Sequence, residues 1–468
     1  MDFSITAKDG SARVGSISTA HGDIQTPAFM PVATAGAVKA LGMDDMEALH
    51  AQILMANTFH LHLKIGEQLV GAHGGLHGFS SWHRPFMTDS GGFQAFSLGF
   101  GMEHGVGKIA SIFPDEVTGE RREQGKAGGD EGEAHRADGG DQTHTIVLPP
   151  GPQRKRPEPK LARVTEEGVR FRSPFDGRWV LLTPEESMRI QHTLGADLIL
   201  AFDECTSPLS DKDYTATAMR RTHRWAQQCL DAHHQALASG LAPDGQGLYG
   251  IVQGGAYEDL RRESAKAIVG MRTQNGIATD ALKGKGMKEE GCSGGAGTMC
   301  VPPGFDGIAI GGSLGKSKQD MLAVLDWTIP LVPDELPRHL LGIGTVEDIF
   351  WSVSRGIDTF DCVMPTRIAR SGHLLLHPRA GGTPRNKFRT SVKLARWKAS
   401  TQPLDSHCGC QCCRHSMGFL RHLFMSKELL YYRLASIHNL TVILGLMSEI
   451  RDAISRGRLL ELKTEWMG

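Results

Sequence analysis

Leu198-Ile199-Leu200-Ala201-Phe202-Asp203 is a short apolar run with the composition of a buried strand, and it stops on a carboxylate. The same arrangement recurs along the chain, with a polar or glycine-rich cluster at the end of each run, in Pro85-Phe86-Met87-Thr88-Asp89, Leu248-Tyr249-Gly250-Ile251-Val252-Gln253, Gly307-Ile308-Ala309-Ile310-Gly311-Gly312 and Asp358-Thr359-Phe360-Asp361. In a parallel barrel the carboxyl ends of all strands meet at one mouth, where reactive groups converge on a substrate. The repeat therefore predicts a parallel barrel enzyme.

Segments with helical spacing lie between these runs, which favours an α/β fold with a parallel sheet. One of them begins at Thr183-Pro184-Glu185-Glu186. Thr183 is placed to cap the helix, Pro184 suits its first position, and Glu186 would complete a capping box.

Length and composition fit a soluble enzyme. The chain has 468 residues, of which 40% are hydrophobic, and this is enough for one large barrel with insertions. The formal net charge of -1 gives no overall sign of nucleic-acid binding, so any such surface must be local. We expect no membrane span, because no stretch approaches about 20 apolar residues, and no leader, so the expected location is cytoplasmic.

Two polar segments interrupt the alternation of strand and helix. Residues 99–160 are rich in Gly, Pro and charge, and residues 270–303 are again Gly-rich and polar. Neither offers much to bury, so both are interpreted as surface insertions or as artefacts of the gene model.

Three carboxylates at strand ends are candidates for chemistry. An Asp in such a place is more often a hydrogen-bond acceptor in a loop, but Asp89, Asp203 and Asp361 would share one mouth. Two carboxylates there are the equipment for breaking a glycosidic bond with retention: one attacks the anomeric carbon and the other handles the proton of the leaving group. Such a pair permits transfer as well as hydrolysis.

Groups that suit a planar heterocycle follow the same strands. Asp203, Gln253 and the Gly311-Gly312 backbone supply donors and acceptors for the edge of a base. In Asp89-Ser90-Gly91-Gly92-Phe93-Gln94, Phe93 offers a flat face for stacking, although a tight turn with a core Phe is the alternative.

A cysteine cluster near the C-terminus indicates a metal site. Cys408, Cys410 and Cys413, with His438 downstream, fit a closed tetrahedral structural zinc site. The alternative is a redox or incidental cluster, and Cys412, His407 and His415 remain open as substitute ligands.

A stretch without acidic residues lies between the last carboxylate and the cysteines. From Cys362 to Leu404 there is no Asp or Glu, whereas basic residues recur: Arg367, Arg370, Arg379, Arg385, Lys387, Arg389, Lys393, Arg396 and Lys398. This is a candidate surface for a phosphate backbone, unless it is only a solvated face.

With these motifs in order, the chain resembles the tRNA-guanine transglycosylases, or queuine tRNA-ribosyltransferases, of bacterial and eukaryotic type. The resemblance runs from about Thr19 to about Asn439 and includes the motifs around Asp89, Asp203, Gln253 and Asp361 together with the Cys/His set. It implies an irregular (β/α)8 TIM barrel with a zinc-binding subdomain near the C-terminus. It also implies exchange of the wobble guanine of tRNAs with a GUN anticodon for a 7-deazaguanine base, through a covalent enzyme-ribosyl intermediate.

Matching the motifs gives each residue an expected role. Asp361 resembles the nucleophile and Asp89 the general acid/base. The residues that resemble the base-binding set are Phe93, Asp203, Gln253, Gly311, Gly312, Gly315, Leu341 and Gly342. Arg367 and Arg370 match residues that hold the anticodon loop, and Cys408, Cys410, Cys413 and His438 match the ligands of one structural zinc ion.

One departure from the family bears on the base. The chain has Ser313-Leu314-Gly315, where enzymes restricted to the aminomethyl precursor tend to carry Leu-Ala-Val. A missing side chain at Gly315 would leave room for the cyclopentenediol of queuine, so queuine is the expected base, with the precursor as the alternative.

The resemblance also divides the chain and suggests partners. The expected parts are barrel at 1–98, 161–269 and 304–378, insertions at 99–160 and 270–303, and the basic stretch with the zinc-binding subdomain and C-terminal helices at 379–468. We expect tRNA and a free deazaguanine base as partners, and a homodimer or a heterodimer with a related subunit. A non-catalytic RNA-binding subunit is the alternative function, which the presence of both Asp89 and Asp361 disfavours.

Overall fold

The computed structural model describes residues 1–94, 162–274 and 303–468. The segment expected to be an insertion at 99–160 lies outside these residues. So does the segment at 270–303, apart from residues 270–274 and 303.

One parallel sheet and three small antiparallel sheets make up the described strands. The strands are β1 (Asp2–Asp9), β2 (Ala12–Thr19), β3 (Gly22–Thr26), β4 (Ala28–Pro31), β5 (Leu54–Ala56), β6 (Phe86–Thr88), β7 (Ala162–Val164), β8 (Val169–Arg172), β9 (Trp179–Leu182), β10 (Leu198–Leu200), β11 (Gly247–Val252), β12 (Gly307–Ile310), β13 (Arg338–Leu340), β14 (Thr359–Cys362), β15 (His373–Leu375) and β16 (Arg389–Ser391).

The parallel sheet has eight strands in the order β4-β14-β13-β12-β11-β10-β6-β5. A parallel bridge between Val32, just after β4, and Met55 of β5 brings its two edges together. The strands therefore follow one another around a barrel in chain order, and the predicted α/β barrel is confirmed. All five apolar runs that ended on polar clusters contribute strands to it.

Helices pack around the strands and extend the chain at its C-terminus. They are α1 (Met43–Ala48), α2 (Thr58–Lys64), α3 (Glu67–Ala72), α4 (Gly75–Ser80), α5 (Pro184–Leu194), α6 (Lys212–Ser239), α7 (Glu258–Gly270), α8 (Lys318–Thr328), α9 (Val346–Val353), α10 (Met364–Arg370), α11 (Met417–Met425), α12 (Leu429–Ser455) and α13 (Leu459–Met467).

The start of α5 shows one correction to the sequence prediction. Thr183 caps the helix by accepting from the Glu186 amide at 3.2 Å, with Pro184 in the first turn, as predicted. The Glu186 carboxylate, however, pairs with Arg189 at 2.7–2.8 Å instead of closing a capping box. An ion pair one turn along the helix has replaced the reciprocal cap.

The barrel has one hydrophobic core inside its strands and another between its strands and the surrounding helices. The barrel interior is filled by side chains such as Met30, Met87, Leu200 and Tyr249, and the β1-β2-β3 sheet adds Ile17 and others to the same cluster. A larger core lies between the strands and the surrounding helices. The antiparallel sheet thus lies against the packed interior, while the carboxyl ends of the strands carry the polar clusters.

Helix α12 differs from the expectation that no stretch resembles a membrane span. By length and composition it is apolar enough to cross a membrane, but 56% of its most apolar window is buried. It packs against α10, α11, α13, β4 and β15, and it carries His438. Its apolar character is explained by its position as a core helix between the barrel and the C-terminal subdomain.

Candidate active site and metal centre

Asp361 lies at the carboxyl end of β14 with only one carboxylate oxygen held. Its Oδ1 accepts from the Gly342 amide at 2.9 Å and lies 3.3 Å from Nε2 of His339. Oδ2 has no hydrogen-bond partner among the described residues, and the side chain is 16% exposed. One oxygen is therefore fixed and the other is available to a ligand. Gly342, which was expected to contact the substrate, donates its amide to this carboxylate.

Asp89 follows β6 and is held by three donors. Oδ1 accepts from the Thr58 amide at 2.9 Å, while Oδ2 accepts from Asn57 Nδ2 at 2.5 Å and from Gln94 Nε2 at 3.0 Å. Burial raises the pKa of Asp89 to about 7, with a further contribution from the negative charge of Asp361. A carboxyl with this pKa can both donate and accept a proton near neutral pH.

Asp203 and Gln253 form one polar unit after β10 and β11. Gln253 Nε2 donates to Asp203 Oδ2 at 2.5 Å, and Ser90 Oγ donates to Oδ1 at 3.3 Å. Burial raises the pKa of Asp203 to about 6. The Gln253 Oε1 atom is buried beside Gly312 and has no hydrogen-bond partner among the described residues, so its capacity to accept is unused.

Glu204, next to Asp203, was not singled out in the sequence. It is buried, accepts from the Tyr214 hydroxyl at 2.7 Å and forms an ion pair with Arg221. These contacts fix the chain immediately after Asp203 from the outer side of the barrel.

Arg261 is a second residue that sequence reasoning missed. Its guanidinium is fully buried and donates only to backbone carbonyls, those of Gly255 (2.6 Å), Val252 (2.9 Å), Ser313 (2.9 Å) and Gly311 (3.0 Å). Burial lowers its pKa to about 9. Arg261 thereby ties the loop after β11 to the loop after β12. The spacing of Arg261, Ser264, Ala265 and Ile268 along one face of α7 was the available signal.

The two glycines after β12 leave space that other side chains occupy. A Cβ at Gly311 would lie 2.5 Å from Ile251 Cγ2, and one at Gly312 would lie 2.0 Å from Gln253 Oε1. Gly312 also has a positive φ of 74°. Gln253 can approach the loop this closely only because Gly312 has no side chain. Leu341 lies beside them, 3.3 Å from the Gly311 Cβ position.

Gly315 does not open the space that the sequence suggested. Its φ is +97°, and a Cβ there would lie 2.2 Å from Cβ of Asp320. The Asp320 carboxylate accepts from the amides of Lys316 and Ser317 at the start of α8, so it is fixed in that space. The absent side chain is explained by this turn and the helix cap, which corrects the argument for extra room.

Phe93 is an exposed aromatic residue that follows the cluster around Asp89. Its side chain is 48% exposed, unlike a core aromatic residue. Gly92 lies against the backbone of Asp203, since a Cβ at Gly92 would lie 2.7 Å from the Asp203 carbonyl oxygen. The alternative of a turn with a buried Phe is therefore wrong.

The predicted metal ligands come together between the subdomain and α12. The Sγ atoms of Cys408, Cys410 and Cys413 lie 3.9, 3.5 and 3.4 Å from Nδ1 of His438, and all four ligand atoms lie within 4.8 Å of one another. Tetrahedral zinc bonds of about 2.1 Å to nitrogen and 2.3 Å to sulfur require ligand separations of about 3.6 Å. His438 Nε2 donates to the Leu375 carbonyl at 2.8 Å, which leaves Nδ1 free to bind a metal.

The substitute ligands that the sequence left open are not part of this group. Cys412 is buried in the apolar core of the subdomain with Met417, Leu420 and Tyr431. His407 is 75% exposed, and neither it nor His415 joins the four-residue cluster. Cys413 is therefore the third thiolate.

Basic residues are exposed next to the mouth and along the following segment. Arg367 and Arg370 lie on α10, directly after the strand that carries Asp361, and Arg367 is exposed. Arg379 forms an ion pair with Asp405 at 3.1 Å. The exposed members of the acid-free stretch also include Arg385, Lys387, Lys393, Arg396 and Lys398.

Comparison with known proteins gives one consistent result. A family model described as queuine tRNA-ribosyltransferase matches residues 8–121, 143–293 and 296–468. A protein from Archaeoglobus fulgidus is 46% identical over 458 residues, which cover 97% of this chain and 96% of that protein. Proteins named queuine tRNA-ribosyltransferase from a Roseiflexus species and from Halothermothrix orenii are 39% and 37% identical, and cover 100% and 97% of this chain and 99% and 94% of their own lengths. The chain therefore belongs to the queuine tRNA-ribosyltransferase family.

Proposed function

We propose that this chain exchanges a guanine in tRNA for a free 7-deazaguanine base by double displacement. Oδ2 of Asp361 attacks C1′ of the ribose, and the bond from C1′ to N9 of guanine breaks as Asp89 gives a proton to the leaving base. The incoming base then loses its N9 proton to Asp89 and attacks C1′ from the face that guanine left. The bond from C1′ to Asp361 breaks, so the enzyme returns to its starting state.

The difference between the two carboxyl groups carries this proposal. Asp89 has a pKa of about 7 because it is buried near a second carboxylate, so both of its protonation states are populated at neutral pH. Asp361 keeps one oxygen on the Gly342 amide and leaves the other unpaired among the described residues. One group is suited to proton transfer and the other to attack.

The neighbouring groups support a purine-like base as ligand. Asp203 and the open Oε1 of Gln253 can accept from the N–H edge of a guanine, and the Gly311-Gly312 backbone allows close approach. Phe93 offers an exposed ring for stacking, with Leu341 as the proposed cover for the other face.

We propose that the exchanged guanine is the wobble base of a GUN anticodon. Arg367 and Arg370 are the residues that we propose hold the anticodon loop. Queuine is the base we favour, because the chain departs from the precursor-restricted pattern at Ser313-Leu314, and the aminomethyl precursor is its competitor. Gly315 does not contribute to this choice, since its turn explains the missing side chain. The Cys/His cluster would hold one structural zinc ion, because its four protein ligands leave no open position for catalysis.

The test is base exchange with tRNA(Asp) or tRNA(Tyr) that carries labelled guanine. We expect the wild type to release the label when queuine or the precursor is added, and to form a covalent tRNA adduct on denaturing gels without an incoming base. Asp361→Ala should abolish both, whereas Asp89→Asn should slow exchange at least a hundredfold. Exchange that survives in Asp361→Ala would remove the assigned nucleophile, and release by neither base would refute the proposal.

A further inference from the structure

The nucleophilic carboxylate has a buried histidine directly beneath it. His339 lies on β13, is 0% exposed, and has Nε2 at 3.3 Å from Asp361 Oδ1 and Nδ1 at 2.9 Å from Thr359 Oγ1. Thr359 and Asp361 are two residues apart on β14, so they face the same side of the strand, and His339 is the registered partner of Thr359. The imidazole therefore spans two layers of the barrel, from the hydroxyl below to the carboxylate above.

The proposed attack requires an ionised Asp361, and this sets which neighbouring atoms must carry protons. An ionised Asp361 can only accept, so Nε2 of His339 carries the proton that it shares. In the neutral ring Nδ1 is then an acceptor, which the Thr359 hydroxyl can satisfy. Both ring nitrogens have partners, and the ring is fully buried.

We propose that His339 is a positioning residue for the transfer step: it holds Oδ1 of Asp361 together with the Gly342 amide, so that Oδ2 alone faces the ribose. This rests on the proposed function, because it assumes that Asp361 is the nucleophile.

The two donors also act on the second half of the reaction. Once Oδ2 has bonded to C1′, Oδ1 is the carbonyl oxygen of an ester. When the incoming base attacks C1′, the bond from C1′ to Oδ2 breaks and its electron pair returns to the carboxylate. Donors on Oδ1 stabilise the charge that develops there. Removing one of them therefore slows the departure of Asp361 as well as loosening its orientation.

A matched pair of variants separates this role from packing. His339→Leu fills a similar volume and has no donor, whereas His339→Gln can direct a side-chain N–H group to Asp361. We expect His339→Leu to lower kcat about ten- to a hundredfold, the usual effect of one hydrogen bond to a charged group. The KM for tRNA should stay within about twofold, and His339→Gln should restore most of kcat.

The fraction of enzyme trapped as covalent adduct distinguishes the positioning role from a general structural defect, which would not raise this fraction. In His339→Leu the fraction of enzyme trapped as tRNA adduct during turnover should rise, because breakdown of the intermediate is slowed. Thr359→Val should give a smaller effect of the same kind, and Thr359→Ser none, since it keeps the hydroxyl group.

Each outcome has a distinct meaning. Unchanged kcat in a folded His339→Leu, or equal losses in the Leu and Gln variants, would overturn the positioning role while the wild type remains active. A wild type that neither exchanges base nor forms adduct would overturn the proposed function instead.

Discussion

The guanidinium of Arg261 donates to the carbonyl of Gly311 at 3.0 Å, from a helix that belongs to the preceding strand-helix unit. The same side chain reaches Val252, just before Gln253, so it holds the two loops that carry the proposed base-binding groups. Its partners are carbonyl groups, which are neutral, and burial lowers its pKa to about 9. The buried guanidinium therefore fixes the positions of both loops.

Arg261→Met should therefore weaken base binding more than tRNA binding. It leaves several buried carbonyls without donors, and we expect a loss of about 3–5 kcal/mol in the free energy of unfolding. In the folded fraction, the KM for the free base should rise at least tenfold and the KM for tRNA should not change. Arg262→Met is the matched control, because Arg262 is half-buried on the same helix and its side chain forms an ion pair with Glu258 at the surface. An equal effect of the two substitutions would contradict this role.

Asp89→Asn should inactivate the enzyme and stabilise it at alkaline pH. The folded-state pKa of Asp89 is raised from 3.8 to about 7, mainly by burial. For an acid whose pKa is raised, stability is fully present below pH 3.8 and is lost as the pH rises through 7. The neutral variant escapes this loss, so its free energy of unfolding should exceed that of the wild type by about 1–3 kcal/mol at pH 8 and by nothing near pH 4.

Urea unfolding at the two pH values measures that difference. A stabilisation that is the same at pH 4 and pH 8 would show that the titration of Asp89 is not its cause. Carbon NMR of the carboxyl groups gives a second check: Asp361→Asn should lower the pKa of Asp89, because it removes the neighbouring negative charge.

The order of motifs predicted the barrel and the members of its site because strand ends in a parallel barrel must converge. Asp89, Asp203, Gln253 and Asp361 could be found in this way, since each follows an apolar run. The helical spacing around Arg261 could mark it as facing inward, but its role and that of His339 could not be predicted. Both roles depend on contacts between distant segments, which a single sequence does not display. Gly315 was misread for a similar reason: its neighbour Asp320 fills the space, and only the positive φ shows why glycine is required.

Gly315→Val tests that correction. A β-branched residue at a φ of +97° would be strained and would also meet Asp320, so we expect a loss of about 1–3 kcal/mol in stability. Exchange with queuine and with the precursor should fall by similar factors. If the variant were as stable as the wild type and lost only queuine, Gly315 would line the base pocket after all.

Cys413→Ser and Cys412→Ala separate the metal ligands from the apolar core of the subdomain. Metal content measured by mass spectrometry should fall from one ion per chain to well below it in Cys413→Ser, with a lower melting temperature, because metal binding contributes directly to folding. Cys412→Ala should keep the metal, since Cys412 lies among apolar side chains. Loss of metal in Cys412→Ala but not in Cys413→Ser would make Cys412 the ligand in place of Cys413. Detection of another metal would correct the assignment of zinc.

The buried histidines of α5 and α6 should make the protein sensitive to acid. His192 Nε2 lies 3.1 Å from His233 Nδ1, and His233 Nε2 lies 3.2 Å from the Gln246 carbonyl, so both rings are satisfied as neutral imidazoles. Burial lowers the pKa of His192 to about 4 and that of His233 well below its usual value.

For a histidine whose pKa is lowered, stability is present above pH 6.5 and is lost as the pH falls through the folded-state pKa. Each proton taken up on unfolding costs about 1.4 kcal/mol per pH unit. Asp89 and Asp203, whose pKa values are raised, give the opposite pH dependence in the same range, so the test is a difference between two proteins. In urea unfolding between pH 7.5 and 4.5, the wild type should lose stability relative to His192→Gln, which keeps a donor but does not titrate. His407→Gln, at an exposed site, should leave the slope unchanged. A difference in the free energy of unfolding between wild type and His192→Gln that stays constant from pH 7 to pH 5 would show that His192 does not control acid stability.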